Sequence, residues 1–304
     1  MTAKKKSNSH DKFFKAIFLE PAHAASLLRG ALSPAIRQEL DLLSLQVDSA
    51  SYVDDQLKEH FADLAFQCRL KNREETVEVV ILLEHKSYPE EYLHFQLLRY
   101  QLNVWEKQVK SKEKPTPVVV LVVYHGQTAW RLLPFRESFG PSWPDAVRDT
   151  IPDVRYEVLN LTREEIAGIQ ATYDHLLVRQ ALLLLKHIYS NQLEALLPLI
   201  FGPAGLYKKD QQVVGFLRIF EVYILKTGKM NKEVLDQTLK EFWEDWDFEP
   251  GSVGEQMVHE SHEKGLVEGV RRNVLTMFKK GFSVLQIADI LDLTEAEVRS
   301  ICEG

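Results

Sequence analysis

The chain has 304 residues, 45% of them hydrophobic and 27% charged, enough apolar material to bury a full core in one α/β domain with a helical extension. A formal net charge of −7 argues against general polyanion binding, because nonspecific affinity for nucleic acid comes from Lys and Arg neutralising phosphates. Cys68 and Cys302 offer neither a disulfide framework nor a metal-ligand spacing. No apolar run reaches the roughly 18 uncharged residues of a membrane span, and Lys4-Lys5-Lys6 has no apolar segment behind it to make a secretory signal. A cytoplasmic protein with reduced thiols is the expectation.

In chain order, the first clear element covers residues 61–70. There Leu64, Phe66, Cys68 and Leu70 alternate with Asp63, Ala65, Gln67 and Arg69, the pattern of a half-buried strand with Asp63 facing away from the Leu/Phe side. Lys71-Asn72-Arg73-Glu74-Glu75 reads as a polar turn. Residues 76–86 then form a β-branched-rich apolar run without Gly or Pro, as in a strand buried on both faces, ending at Glu84-His85-Lys86. An antiparallel hairpin of these two strands brings Asp63 and Glu84 together. Residues 92–110 carry a helical apolar stripe of Leu93, Leu97, Leu98, Leu102, Val104 and Trp105, with Gln96 and Tyr100 neighbours at a spacing of four. A continuous apolar strand at 117–124 follows, closed by His125-Gly126, and strand, crossover helix and strand are the order of an α/β core.

Beyond it, residues 134–152 hold four prolines and Gly140 and read as an irregular connection. Residues 174–201 form a long helical pattern with Pro198 marking a break, and 210–226 and 232–243 form two more helices. Residues 255–280 read as a helix suited to packing against another helix. Ser283 to Gln286 and Thr294 to Glu297 are capping-box signatures of a short helical hairpin, acidic where a recognition helix would meet DNA. The expected division is a core at 1–160, a helical domain at 161–250, and a long helix with the hairpin at 251–304.

The chemistry lies in Asp63, Glu84 and Lys86. Two carboxylates a few Å apart repel unless a cation sits between them, which favours Mg²⁺, or Mn²⁺ or Ca²⁺, with oxygen ligands. Glu84 and Lys86, two apart on a strand, project from one face, so the lysine can act on an attacking water and on the charge at phosphorus. No Gly-rich phosphate loop, Gly-x-Ser-x-Gly or zinc-ligand spacing points to NTP hydrolysis, ester chemistry or zinc.

Several motifs in register then resemble one family. His10-Asp11-Lys12-Phe13-Phe14-Lys15, Ser51-Tyr52-Val53-Asp54, Asp63-Leu64-Ala65-Phe66, Leu83-Glu84-His85-Lys86-Ser87, Leu97-Leu98-Arg99-Tyr100 and Val123-Tyr124-His125-Gly126 occur in the order and approximate spacing of the Rpn recombination-promoting nucleases, also labelled "putative transposase". The resemblance covers about the first 220 residues. It implies a bacterial, metal-dependent DNA endonuclease of the PD-(D/E)XK superfamily, a restriction-endonuclease-like mixed sheet with flanking helices and an α-helical C-terminal region. It further implies Asp63, Glu84 and Lys86 as catalytic residues, Gln96 and Tyr100 as support, and the His85 backbone carbonyl as a metal ligand beside Asp63 and Glu84. Ala62 stands where the superfamily's name has proline, a position without chemistry.

Two other readings compete. One is a catalytically silent DNA- or protein-binding regulator of the same fold, against which the intact Asp63, Glu84 and Lys86 speak. The other is an acidic-triad transposase, whose chemistry uses three carboxylates and no partnering lysine. DNA is the expected partner, with self-association through the C-terminal helical region.

Overall fold

A computed structural model of the chain describes residues 9–48, 64–71, 78–128, 130, 134–152, 154–207, 210–227, 230–242, 278, 284 and 298–300. Three helices come first, α1 (Ser9–Phe18), α2 (Pro21–Ala31) and α3 (Pro34–Glu39). The last two open on proline, whose missing N–H is no loss in a first turn. The sheet is then built from β1 (Leu40–Val47), β2 (Leu64–Leu70), β3 (Glu78–Lys86), β4 (Val118–Tyr124) and β5 (Glu157–Asn160), side by side in that order. β1, β2 and β3 run antiparallel; β3, β4 and β5 run parallel. The change of direction requires a crossover, which α4 (Leu93–Lys110) supplies between β3 and β4.

The mixed α/β architecture agrees with the expected strands and crossover helix, and the β2–β3 pair is antiparallel with Leu64 opposite Leu83. Residues 61–63, 72–77 and the expected elements at 255–280 and 283–297 lie outside the described residues, apart from single helical positions at 278 and 284. β1 escaped the periodicity because its register shifts between Asp41 and Gln46, so Leu40, Leu42 and Leu45 do not keep a period of two.

β4 shows how the sheet divides two cores. Val120, Val122 and Tyr124 pack with Leu93, Leu97, Tyr100 and Val104 of α4. Leu121 and Val123 point the other way, with Leu64, Phe66 and Cys68 of β2, into the larger cluster. That cluster takes in α1, α2 and the helices that follow α5 (Asp145–Arg148): α6 (Ile166–Thr172), α7 (Leu176–His187), α8 (Leu193–Phe201), α9 (Gln211–Thr227) and α10 (Lys232–Phe242). Within it Cys68 is a buried thiol that desolvation pushes up to about 11, an unreactive core residue.

One boundary differs from the sequence pattern. The long helix expected at 174–201 is two, parted at residues 188–192, while α8 continues through Pro198. Leu193, Leu197, Ile200 and Phe201 are all buried on one side of α8. Burying those four side chains, about 1.5–3 kcal/mol each, outweighs the roughly 3 kcal/mol that an interior proline costs. Among the described residues no helix is long and apolar enough to cross a membrane.

The fold refuses protons at several histidines. His23, buried against His175 and Phe216, is held at about 4 by desolvation, and burial lowers His94, His175 and His187 as well. Above the ordinary value of 6.5 neither folded nor unfolded chain is protonated there, so nothing is gained or lost. Below it the unfolded chain takes up protons that the fold excludes, and stability falls by up to about 1.4 kcal/mol per pH unit per histidine until the folded value is reached. Urea unfolding at pH 7.5, 6 and 5 is expected to show a steadily falling midpoint; a midpoint unchanged down to pH 5 contradicts this account.

Candidate functional site at the end of strand β3

β3 ends where its last residues are held from both sides. The register sets Glu84 beside Val122 and Lys86 beside Tyr124, and both β4 residues belong to the α4 side of the sheet. Lys86 is 7% exposed, and its Nζ donates to Gln96 Oε1 of α4 at 2.9 Å. Gln96 Nε2 in turn donates to the Tyr100 hydroxyl. The three therefore form one chain of hydrogen bonds; the four-residue helical spacing makes Gln96 and Tyr100 neighbours, and the bond from Lys86 joins that pair to the strand end. The lysine is thereby fixed in direction, since an ammonium on four methylenes loses its rotamer freedom only when packed and bonded.

Of the remaining candidates, Asp63 lies outside the described residues, and for Glu84 only the backbone position in β3 is described. Backbone direction at the strand end is fixed by His125, whose N–H donates to the Lys86 carbonyl at 3.0 Å. Successive carbonyls of a strand point to opposite sides, so that of His85 points away from β4, toward the β2 edge.

A further carboxylate shares this face. Asp48, just beyond β1, donates its N–H to the Ala65 carbonyl at 2.8 Å, and Ala65 packs on the α4 side. Asp48 is 9% exposed; desolvation lowers the pKa of Lys107 of α4, and the Asp48 charge opposes that shift. No sequence motif flagged Asp48. The broken alternation of β1 hid which way the residue after Val47 would face.

Behind β3 the His85 side chain enters the opposite layer, as alternation required. It stacks on Phe14 and on His125, with ring centroids 5.0 and 4.6 Å away. His125 Nδ1 bonds to the Leu185 carbonyl at 3.2 Å. His10 packs 5.1 Å from the His125 ring and is bonded at both nitrogens, to Tyr223 Oη at 2.6 Å and Tyr189 Oη at 3.0 Å. Phe13 stacks on Tyr223 at 4.1 Å. Burial drives His85 far below its ordinary range and His125 to about 3, so these rings are neutral packing elements. Gly126 follows because a side chain there would run into the Tyr124 hydroxyl, which is committed to the Thr128 carbonyl at 2.6 Å.

The family described as "Putative transposase, YhgA-like" matches residues 8–213, more than half of the chain. The chain belongs to that YhgA-like family. It is 26% identical over 228 residues to "Recombination-promoting nuclease RpnD" of Escherichia coli O157:H7, covering 73% of this chain and 83% of the relative. It is 26% identical over 234 residues to "Recombination-promoting nuclease RpnA" of Escherichia coli (strain K12), covering 75% of each. A third relative, "Putative inactive recombination-promoting nuclease-like protein YjiP" of the same strain, is 32% identical over 98 residues, 32% of this chain and 93% of its own length. No solved structure matches. The YhgA-like match spans the elements that meet at the end of β3, from His10 of α1 through Tyr189, and stops at the start of α9.

Proposed function

We propose that the chain is a divalent-metal-dependent DNA endonuclease of restriction-endonuclease-like, PD-(D/E)XK type, in which Asp63, Glu84 and the His85 backbone carbonyl hold the ion and Lys86 acts on water and phosphate. The observation that carries this reading is Lys86, buried at a strand end and aimed by Gln96 and Tyr100 from the face that also receives the Glu84 position. A buried lysine aimed in this way is a costly arrangement for a merely structural surface residue. The antiparallel β2–β3 pairing, with Leu64 opposite Leu83, supports the hairpin on which this reading rests. The relatives' printed names, recombination-promoting nuclease, favour the same chemistry and suggest the role.

Two carboxylates and a carbonyl are hard oxygen donors, a set that fits Mg²⁺ and not a soft metal. Among the described residues no group of three His, Cys, Asp or Glu side chains makes another metal site, and the Asp63 and Glu84 side chains are not among them. Mg²⁺ bound there would polarise a phosphoryl oxygen and lower the pKa of a water. The protein's own part is orientation. Gln96 accepts from the Lys86 ammonium and sets the direction from which it would act on the attacking water and on charge at the phosphate; Tyr100 holds Gln96 in place.

Purified protein incubated with supercoiled plasmid is expected to nick it in Mg²⁺ or Mn²⁺ and not in EDTA. Absence of nicking in every divalent ion would favour the silent regulator, the reading to which the name of the inactive-like relative also belongs.

A further inference from the structure

The surface next to Lys86 carries an unusual row of exposed rings. Tyr92 precedes α4 at its N-cap and Phe95 stands on its first turn, with Phe139 and Trp143 on the connection after β4; they are 56, 42, 39 and 54% exposed. The row is continuous, with ring centroids 6.1 Å apart from Tyr92 to Phe95 and 5.9 Å from Phe95 to Phe139. It is also held in place. Phe135 packs edge-on beneath Phe95 and Phe139, each 5.3 Å away, and the Trp143 indole N–H donates to the Phe139 carbonyl at 2.9 Å. With its one polar group used internally, Trp143 displays the faces of its ring.

We propose that Tyr92, Phe95, Phe139 and Trp143 are a stacking platform for the unpaired bases of a single-stranded DNA segment that runs past Lys86; this rests on the nuclease reading above. Phe95 is the α4 residue next to Gln96, and Tyr92 caps the same end of the helix, so the platform begins beside the residue that holds Lys86. Arg99, exposed one turn beyond Phe95, gives the row a cation for the phosphates between stacked bases. Electrostatics alone would not suffice. The chain carries a net charge of −7, and Arg136, beside the platform, is already paired with Asp149 at 3.5 Å. Aromatic faces supply affinity that does not depend on base identity or on counterion release, which is what an acidic protein needs to hold a polyanion. Bases inside a duplex present only edges in the grooves, so the occupant is a strand whose bases are free to splay.

The test uses the full chain and a fluorescently labelled oligo-dT in EDTA, where no cleavage can occur. Wild-type protein is expected to bind the single strand more tightly than a duplex of equal length, with a shallow loss of affinity between low and high salt. Phe95→Ala, Phe139→Ala and Trp143→Ala, all at exposed positions, should each weaken binding about tenfold with unchanged circular dichroism. Ring variants that bind like wild type, or a wild type that ignores the oligonucleotide, overturn the platform. So do ring variants whose mass in solution falls by light scattering, because the row then joins copies of the chain. Plasmid nicking on the same preparations separates the two proposals: nicking with no ring effect leaves the nuclease reading alone standing. Ring-dependent binding without any nicking leaves only the platform.

Discussion

Lys86→Ala is expected to slow metal-dependent cleavage about a thousandfold while leaving DNA affinity in Ca²⁺ close to wild type. The magnitude follows from the role proposed for the ammonium. A positioned group that moves a proton or offsets charge only in the transition state contributes on the order of 10²–10⁴ in rate and little to ground-state binding. Glu84→Ala and Asp63→Ala differ in kind, since a missing carboxylate removes a metal ligand and should abolish both cleavage and tight Mn²⁺ binding. Gln96→Ala lies between, because it frees Lys86 from the 2.9 Å bond that aims it without removing the charge. Single-turnover nicking of plasmid across the four variants reads these differences, and a Lys86→Ala rate within tenfold of wild type would take the lysine out of the chemistry.

The second large effect is on stability and comes from the layer behind β3. Phe14 is fully buried and contacts the rings of Phe18 at 4.7 Å and His85 at 5.0 Å. Phe14→Ala is expected to cost about 3–5 kcal/mol, a fall of roughly 10 °C in Tm for a chain of this size. His10→Ala removes hydrogen bonds to both Tyr189 and Tyr223 and should cost about 2–3 kcal/mol. Combining it with Tyr223→Phe should cost less than the two singly, because both changes delete one shared bond. Denaturant unfolding of Phe14→Ala, His10→Ala, Tyr223→Phe and the double variant measures this. Additive costs, or a Phe14→Ala loss under about 1 kcal/mol, would show that the His10 to Phe14 segment is not the brace it is taken to be.

Much of the sheet is legible in the sequence. β2, β3, α4 and β4 all carry periods that their own side chains impose: two for a half-buried strand, a continuous apolar run for a strand buried on both faces, 3.6 for the helix that covers it. From those periods alone Lys86 and the Gln96–Tyr100 pair could be assigned faces, and the contact between them is local in consequence, ten residues apart. Pro198 misled because a proline's cost is counted locally, whereas burial of Leu197, Ile200 and Phe201 is a property of the packed layer. The exposed row was hidden for a related reason. Phe95 and Trp143 look like core residues in a sequence, and only the folded surface shows that they are not buried.

By itself, then, the amino-acid order determined the types of β2, β3, α4 and β4, the parity of Glu84 and Lys86 on their strand, and the family motifs in register. The tertiary structure alone decided that Asp48 shares the face of Lys86, and that His10 reaches Tyr223 across 213 positions of sequence. It also decided that the His10-Asp11-Lys12-Phe13-Phe14-Lys15 segment lies directly behind the strand that carries the candidate site. The physical reason is range. Hydrogen-bonded periods and side-chain alternation repeat within a few residues and leave a pattern in the chain. A bond between a half-buried imidazole and a distant phenol leaves none, because it depends on which helix faces pack together once the whole apolar surface has been buried.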